Sequence, residues 1–285
     1  MRSNRAVLLC AFGSSNIKGI EESIGILKKD IEVHFNFRIK VEIAFTSKII
    51  VSKLHKKGYA IRDLEGSLQH LHENGFEEVI IQPIYMMDGC ENLKLREIVS
   101  LYESYFSKLI IKRNLFGEEK DFNKKAINET AHIIKKYSEK YSNILIAGHG
   151  SKVNDSSIYN EIKKKTERMS KVKIYMATLE GKNSLEKAIE KIKKNKVKNI
   201  LIIPIFLMKG RHIIMDISEG ENSWKSILES EGLRVECLMN SLLQYNEIRK
   251  LYIEMLDFSD NLQKGEKVVL LLRSYRCDKE KICDL

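Results

Sequence analysis

The chain reads as an α/β protein built from two similar doubly wound domains, each a parallel sheet flanked by helices. Three observations predict this. Short β-rich apolar runs alternate with longer amphipathic stretches along the 285 residues. Most of the short runs are continuously apolar, as expected for parallel strands covered on both faces. The alternation itself occurs twice, as an internal repeat.

The predicted strands are Ala6–Phe12, Ile39–Phe45, Glu78–Tyr85, Asn143–Ala147, Val172–Thr178, Asn199–Phe206 and Arg234–Met239. Between them lie predicted helices. Ile17–Val33 follows a Gly-Ser-Ser turn, Leu64–Glu73 ends at Asn74-Gly75, and Ser184–Lys194 follows Gly181-Lys182-Asn183. Asn154-Asp155-Ser156-Ser157 offers cap chemistry for a further helix. Strand and helix in alternation imply βαβ units.

The repeat sets Val7-Leu-Leu-Cys-Ala-Phe-Gly-Ser against Ile144-Leu-Ile-Ala-Gly-His-Gly-Ser. It also sets the run from Gly66 to Tyr85 against that from Asn183 to Phe206, with a short gap. The only two prolines, Pro83 and Pro204, thereby occupy equivalent places near the end of the third strand of each half. Proline cannot donate to a ladder, so it fits a strand end. The expected domains are residues 1–125, residues 126–257 and a C-terminal extension, 258–285, for which no role is read.

Composition narrows the function class. Apolar residues make up 43% and charged residues 31%, fitting a globular chain with a full core. No stretch approaches the roughly 20 apolar residues that span a bilayer. Ala6–Phe12 runs into Gly13 without a cleavage region, so it reads as a first strand and not a signal peptide. Cytoplasmic location with no membrane partner is expected. Five scattered cysteines without a C-x-x-C pair argue against a disulfide framework or zinc knuckle. The net charge of +10 lies along helical segments such as Lys191-Ile192-Lys193-Lys194 and reads as solvated helix faces. No nucleic-acid signature accompanies it, and Gly13–Ser15 lacks a phosphate-binding motif.

Ligands of open α/β sheets bind beyond the carboxyl ends of the strands. In the second half those ends carry His149, Glu180 and His212, each after a different strand. Two imidazoles and a carboxylate suit a first-row divalent ion. Three protein ligands leave positions open for a substrate. Each residue has a plainer reading: His149 as a packed residue between glycines, Glu180 as a carboxylate at a helix start, His212 as a surface residue of a basic loop. The equivalent first-half positions hold Phe12, Ser47 and Glu91, so metal chemistry is expected on one side only. Phe12 then reads as apolar wall and Glu91 as an acidic group. His34, His55, His70, His72 and His132 form no comparable set.

Several of these segments together resemble the anaerobic-type sirohydrochlorin cobaltochelatases, of the chelatase superfamily that includes ferrochelatase. They are Ala6–Ser15, Ala44-Phe45-Thr46-Ser47-Lys48, Gln82-Pro83-Ile84-Tyr85, Gly148-His149-Gly150-Ser151, Thr178-Leu179-Glu180-Gly181, and Asp216 through Ser226. The resemblance covers about residues 5–257. It implies two α/β domains facing each other across a cleft that holds a flat macrocycle, and insertion of Co²⁺ into sirohydrochlorin or its precorrin-2 form. His149, Glu180 and His212 would bind the metal and perform the catalysis, with His149 as main base. Glu91 matches the acidic loop position. Arg211 stands where the family has a non-basic residue, and with Lys48 and Lys209 it could meet substrate carboxylates. The metal is substrate, with Ni²⁺ or Fe²⁺ as alternatives, and no organic cofactor is implied. The partner is a tetrapyrrole; a homo-oligomer is allowed. A non-catalytic metal or tetrapyrrole carrier and a nucleic-acid binder are the competing classes.

Overall fold

The computed structural model describes residues 4–117, 120–150, 157–210 and 212–256. The first sheet is built from β1 (Arg5–Ala11), β2 (Lys40–Phe45), β3 (Arg62–Asp63), β4 (Glu78–Pro83) and β5 (Lys108–Ile111). Helices α1 (Ile17–Glu21), α2 (Ile24–His34), α3 (Lys48–His55), α4 (Leu64–Glu73) and α5 (Cys90–Leu101) connect them. The chain continues through α6 (Lys120–Lys136), β6 (Asn143–Gly150), α7 (Ser157–Met169), β7 (Lys173–Glu180), α8 (Leu185–Lys194) and β8 (Asn199–Ile205). A wide π-helix (His212–Glu219), α9 (Trp224–Ser230), β9 (Arg234–Cys237) and α10 (Asn246–Met255) complete it. Strand order is β3-β2-β1-β4-β5 in one sheet and β7-β6-β8-β9 in the other, and every pairing is parallel. The expected α/β fold with two helix-flanked parallel sheets is the observed one.

The central strands explain the apolar runs. Ala6 through Cys10 in β1 and Ile144 through Ala147 in β6 are wholly buried, with one set of side chains facing each helical layer. Charge behaves as solvated helix face: in α8, Leu185, Ala188, Ile189 and Ile192 are buried, while Lys187, Lys191, Lys193 and Lys194 are exposed. None of the described helices is long and apolar enough to cross a membrane.

Three local expectations need correction. The single helix predicted over Ile17–Val33 is broken into α1 and α2 around Ser23, whose hydroxyl bonds back to Gly19 O. Such back-bonding to the preceding turn bends helices. The break lets α1 join the other compact unit, where Asn16 Nδ2 donates to Lys209 O. Strands β3 and β5 were not expected from sequence; β3 has two residues, and β5 is four residues framed by lysines.

Among the described residues, one compact unit holds those up to Ser15, Ile24–Gly117 and those from Lys250 on. The other holds Asn16–Ser23 and those after Gly117 through Arg249. Helix α6, which lies in the second unit, runs through the division expected at residue 125. Of the sequence readings, the cap segment Asn154–Ser156, Arg211 and the 258–285 extension lie outside the described residues.

The repeat is visible in strand register. Cys10 pairs with Pro83 on one side and Ala44 on the other; Ala147 pairs with Pro204 and Ala177. Carrying that register outward makes Phe12 equivalent to His149, Ser47 to Glu180, and Glu91 to His212. These are the correspondences expected from the sequence.

Candidate active site

The second sheet brings two of the three predicted residues into contact. His149 lies next to the last residue of β6, half-buried, and His212 opens the π-helix after β8. Their rings stand edge to face, 5.1 Å apart at an interplanar angle of 87°. Phe206, buried at the end of β8, lies nearly parallel to the His212 ring at 6.2 Å and edge-on to His149 at 6.4 Å. An aromatic surface therefore backs both imidazoles.

The turn that carries His149 is held tightly. Tyr159 is buried, and its hydroxyl takes hydrogen bonds from the backbone of His149 and Gly150. Burial pushes that phenol's pKa above its usual range, so it remains neutral. Gly148 must be glycine because a Cβ there would lie 2.4 Å from the Tyr159 ring. Gly150 adopts φ +79, and a Cβ would stand 2.0 Å from Glu180 O. That carbonyl also accepts from Thr178 Oγ1 at 2.7 Å. The His149 Nδ1 lies 3.3 Å from Gly150 O.

Glu180 ends β7, directly paired with Gly150, and its side chain is exposed. It stands five residues before α8 begins, and Glu186 occupies the first turn of that helix, so it is not the dipole-facing carboxylate of the plainer reading. It does not close into a compact ligand set with the histidines: among the described residues, no group of three His, Cys, Asp or Glu side chains is placed to hold a metal ion. His212 Nδ1 lies 2.5 Å from Asp216 Oδ2, one turn along the π-helix.

The first-half counterparts have other employment. Phe12 is 49% exposed. Ser47 caps α3, its Oγ accepting from Ile50 N. Glu91 accepts from Thr46 Oγ1 at 3.0 Å and pairs with Lys94 at 3.2 Å. Behind Thr46, Tyr85 is half-buried and Cys10 buried, and burial pushes the Cys10 thiol up to about 12. Lys48 pairs with Glu65 at 3.1 Å and Lys209 with Glu22 at 3.7 Å, so both cations are matched within their own unit.

Sequence reasoning missed Tyr159, Phe206 as a stacking partner, and Asp216. Only Asp216 had a local signal, its i,i+4 spacing from His212.

The chain is an α/β protein with two imidazoles in contact at the strand ends of its second sheet. Its fold matches that of SirB from Bacillus subtilis with Fe³⁺, at TM-score 0.58 and 13% identity, covering 88% of this chain and 93% of that one. The sirohydrochlorin cobaltochelatase CbiKC of Nitratidesulfovibrio vulgaris is 23% identical over 259 residues, 89% of this chain and 90% of that protein. The sirohydrochlorin cobaltochelatase of Salmonella typhimurium is 23% identical over 269 residues, covering 92% and 98%. The model of the cobalt chelatase (CbiK) family matches residues 5–259, and the chain belongs to that family.

Proposed function

We infer that this chain inserts Co²⁺ into sirohydrochlorin, with His149, Glu180 and His212 handling the metal. The observation that carries the reading is the edge-to-face pair of imidazoles at the strand ends of the second sheet, in a chain of the cobalt chelatase family. Metallation puts one divalent cation into the macrocycle and releases two pyrrole protons. A neutral imidazole suits both halves of that exchange: it ligates the ion, then takes up a proton once the ion has left. His149 is the main ligand and base, and His212 is the second ligand. Glu180 supplies negative charge from the strand beside His149. An open set of this kind favours transfer, because a caged ion could not leave.

The half-exposed Phe12 ring offers an apolar surface to the flat macrocycle. Glu91 supplies a carboxylate at the first sheet's ends. Arg211 suits bidentate pairing with a substrate carboxylate. Ligand type alone does not choose among first-row ions, so metal preference is a matter for measurement.

The test is direct. Purified protein is incubated with sirohydrochlorin and limiting Co²⁺, Ni²⁺ or Fe²⁺, and macrocycle absorbance is followed. Acceleration over the uncatalysed reaction, largest with Co²⁺, is expected. No acceleration with any ion overturns the enzymatic reading, and a larger rate with Ni²⁺ or Fe²⁺ reassigns the metal.

A further inference from the structure

Asp216 lies on the π-helix with its Oδ2 2.5 Å from His212 Nδ1. An ionised carboxylate only accepts hydrogen bonds, so the ring nitrogen facing it must be the donor. A neutral imidazole carries one proton; with that proton on Nδ1, the lone pair is on Nε2. Phe206 stacks on the ring and His149 meets it edge to face.

The helix that joins the two residues is built to keep the pair in place. Ile213 and Ile217, each following one member of the pair, are wholly buried. The wide turn closes with Gly220 N donating to Met215 O at 3.0 Å, where a Cβ on Gly220 would lie 2.2 Å from that oxygen. Widened turns of this type recur at functional sites. A partner that accepts from the far N–H of a metal-ligating histidine fixes its tautomer and orientation and raises its basicity.

We propose that Asp216 is the positioning residue of the metal pair: it holds His212 as the Nδ1–H tautomer, leaving Nε2 to take and release the metal ion. This rests on the reading of His212 as a metal-handling residue. The role is one of geometry and tautomer.

The experiment uses the full chain, metal-free and ¹⁵N-labelled. Long-range ¹H–¹⁵N spectra assign the His212 tautomer, and Co²⁺ alone is titrated into wild type, Asp216→Asn, Asp216→Ala and His212→Ala. In wild type, His212 is expected as Nδ1–H. Asp216→Asn keeps an oxygen that accepts from Nδ1–H, so tautomer and affinity should stay within a few-fold of wild type. Asp216→Ala should lose the Nδ1–H preference and weaken Co²⁺ binding by about 10- to 100-fold. An Nε2–H His212 in wild type overturns the proposal even if the alanine variant does not fold. So does an Asp216→Asn variant that keeps the tautomer but binds as weakly as Asp216→Ala, because charge and not position would then be responsible. If Asp216→Ala binds normally while His212→Ala does not, the positioning role fails and the site reading stands. If His212→Ala binds Co²⁺ as wild type does, the site reading fails and takes the proposal with it.

Discussion

The two sheets share strand register to the residue, yet their carboxyl ends do different things. At the ends of β6 and β8, His149 and His212 meet ring to ring, and each has its Nδ1 turned toward a protein oxygen. At the matching ends of the first sheet, Phe12 is an exposed apolar ring, Ser47 is used as a helix cap, and Glu91 is tied to Thr46 and Lys94. A common βαβ scaffold therefore presents a pair of imidazoles at the ends of one sheet and an apolar ring and a carboxylate at the ends of the other. The lesson is that strand register copies positions, while the residues placed there and their neighbours decide what a position does.

The largest break in this comparison comes from His149→Ala. Loss of the proposed base and ligand should lower the insertion rate about 10²- to 10⁴-fold, with the circular dichroism spectrum retained; an unchanged rate removes the assignment. Next is Gly150→Ala, which forces a side chain into φ +79 against Glu180 O. It should destabilise the protein by ~1–3 kcal/mol, read as a lower urea midpoint, and should distort the turn that carries His149. A midpoint equal to wild type would show that the turn yields without cost.

Two substitutions in the first half should do less. Glu91→Gln keeps an acceptor for Thr46 and loses one half-exposed charge. Its rate should fall about fivefold, the equivalent of ~1 kcal/mol; a loss matching that of His149→Ala would make the halves equal partners in chemistry. Phe12→His restores an imidazole at the equivalent of position 149. Because Ser47 and Glu91 are otherwise engaged, Co²⁺ affinity should stay within about twofold of wild type. A second Co²⁺ equivalent in calorimetry would show that residue type alone separates the halves.

Much of the fold was legible. Apolar runs, most of them continuous, marked β1, β2, β4, β6, β7, β8 and β9, because central strands covered on both faces leave no polar alternation. The edges were less legible. β5 has four residues and β3 two, too short for a periodic signal to stand out. The break between α1 and α2 was hidden because amphipathic spacing continues through Ser23, whereas the cause is a side-chain bond to Gly19 and the assignment of α1 to the other unit.

The candidate site was legible as residue types and not as an assembly. His149, Glu180 and His212 could be placed at consecutive strand ends from the repeat, and the two histidines do meet. Glu180 is the neighbour of that pair in register, and its exposed side chain does not complete a three-ligand cluster among the described residues. Of the cations expected for carboxylates, Lys48 and Lys209 are matched by Glu65 and Glu22. No local pattern announces those pairings, since Lys209 and Glu22 lie 187 residues apart.

By itself, the amino-acid order determined the alternation of strand and helix, the doubling of the unit, and which strand ends carry imidazoles. These follow from local periodicity and from similarity between two stretches of one chain. Tertiary structure alone decided that Tyr159 holds the His149 turn and that Phe206 backs both rings. Each depends on where a side chain arrives after the sheet has closed and the π-helix has formed. Contacts of that kind are set by packing among distant segments, which residue spacing does not encode.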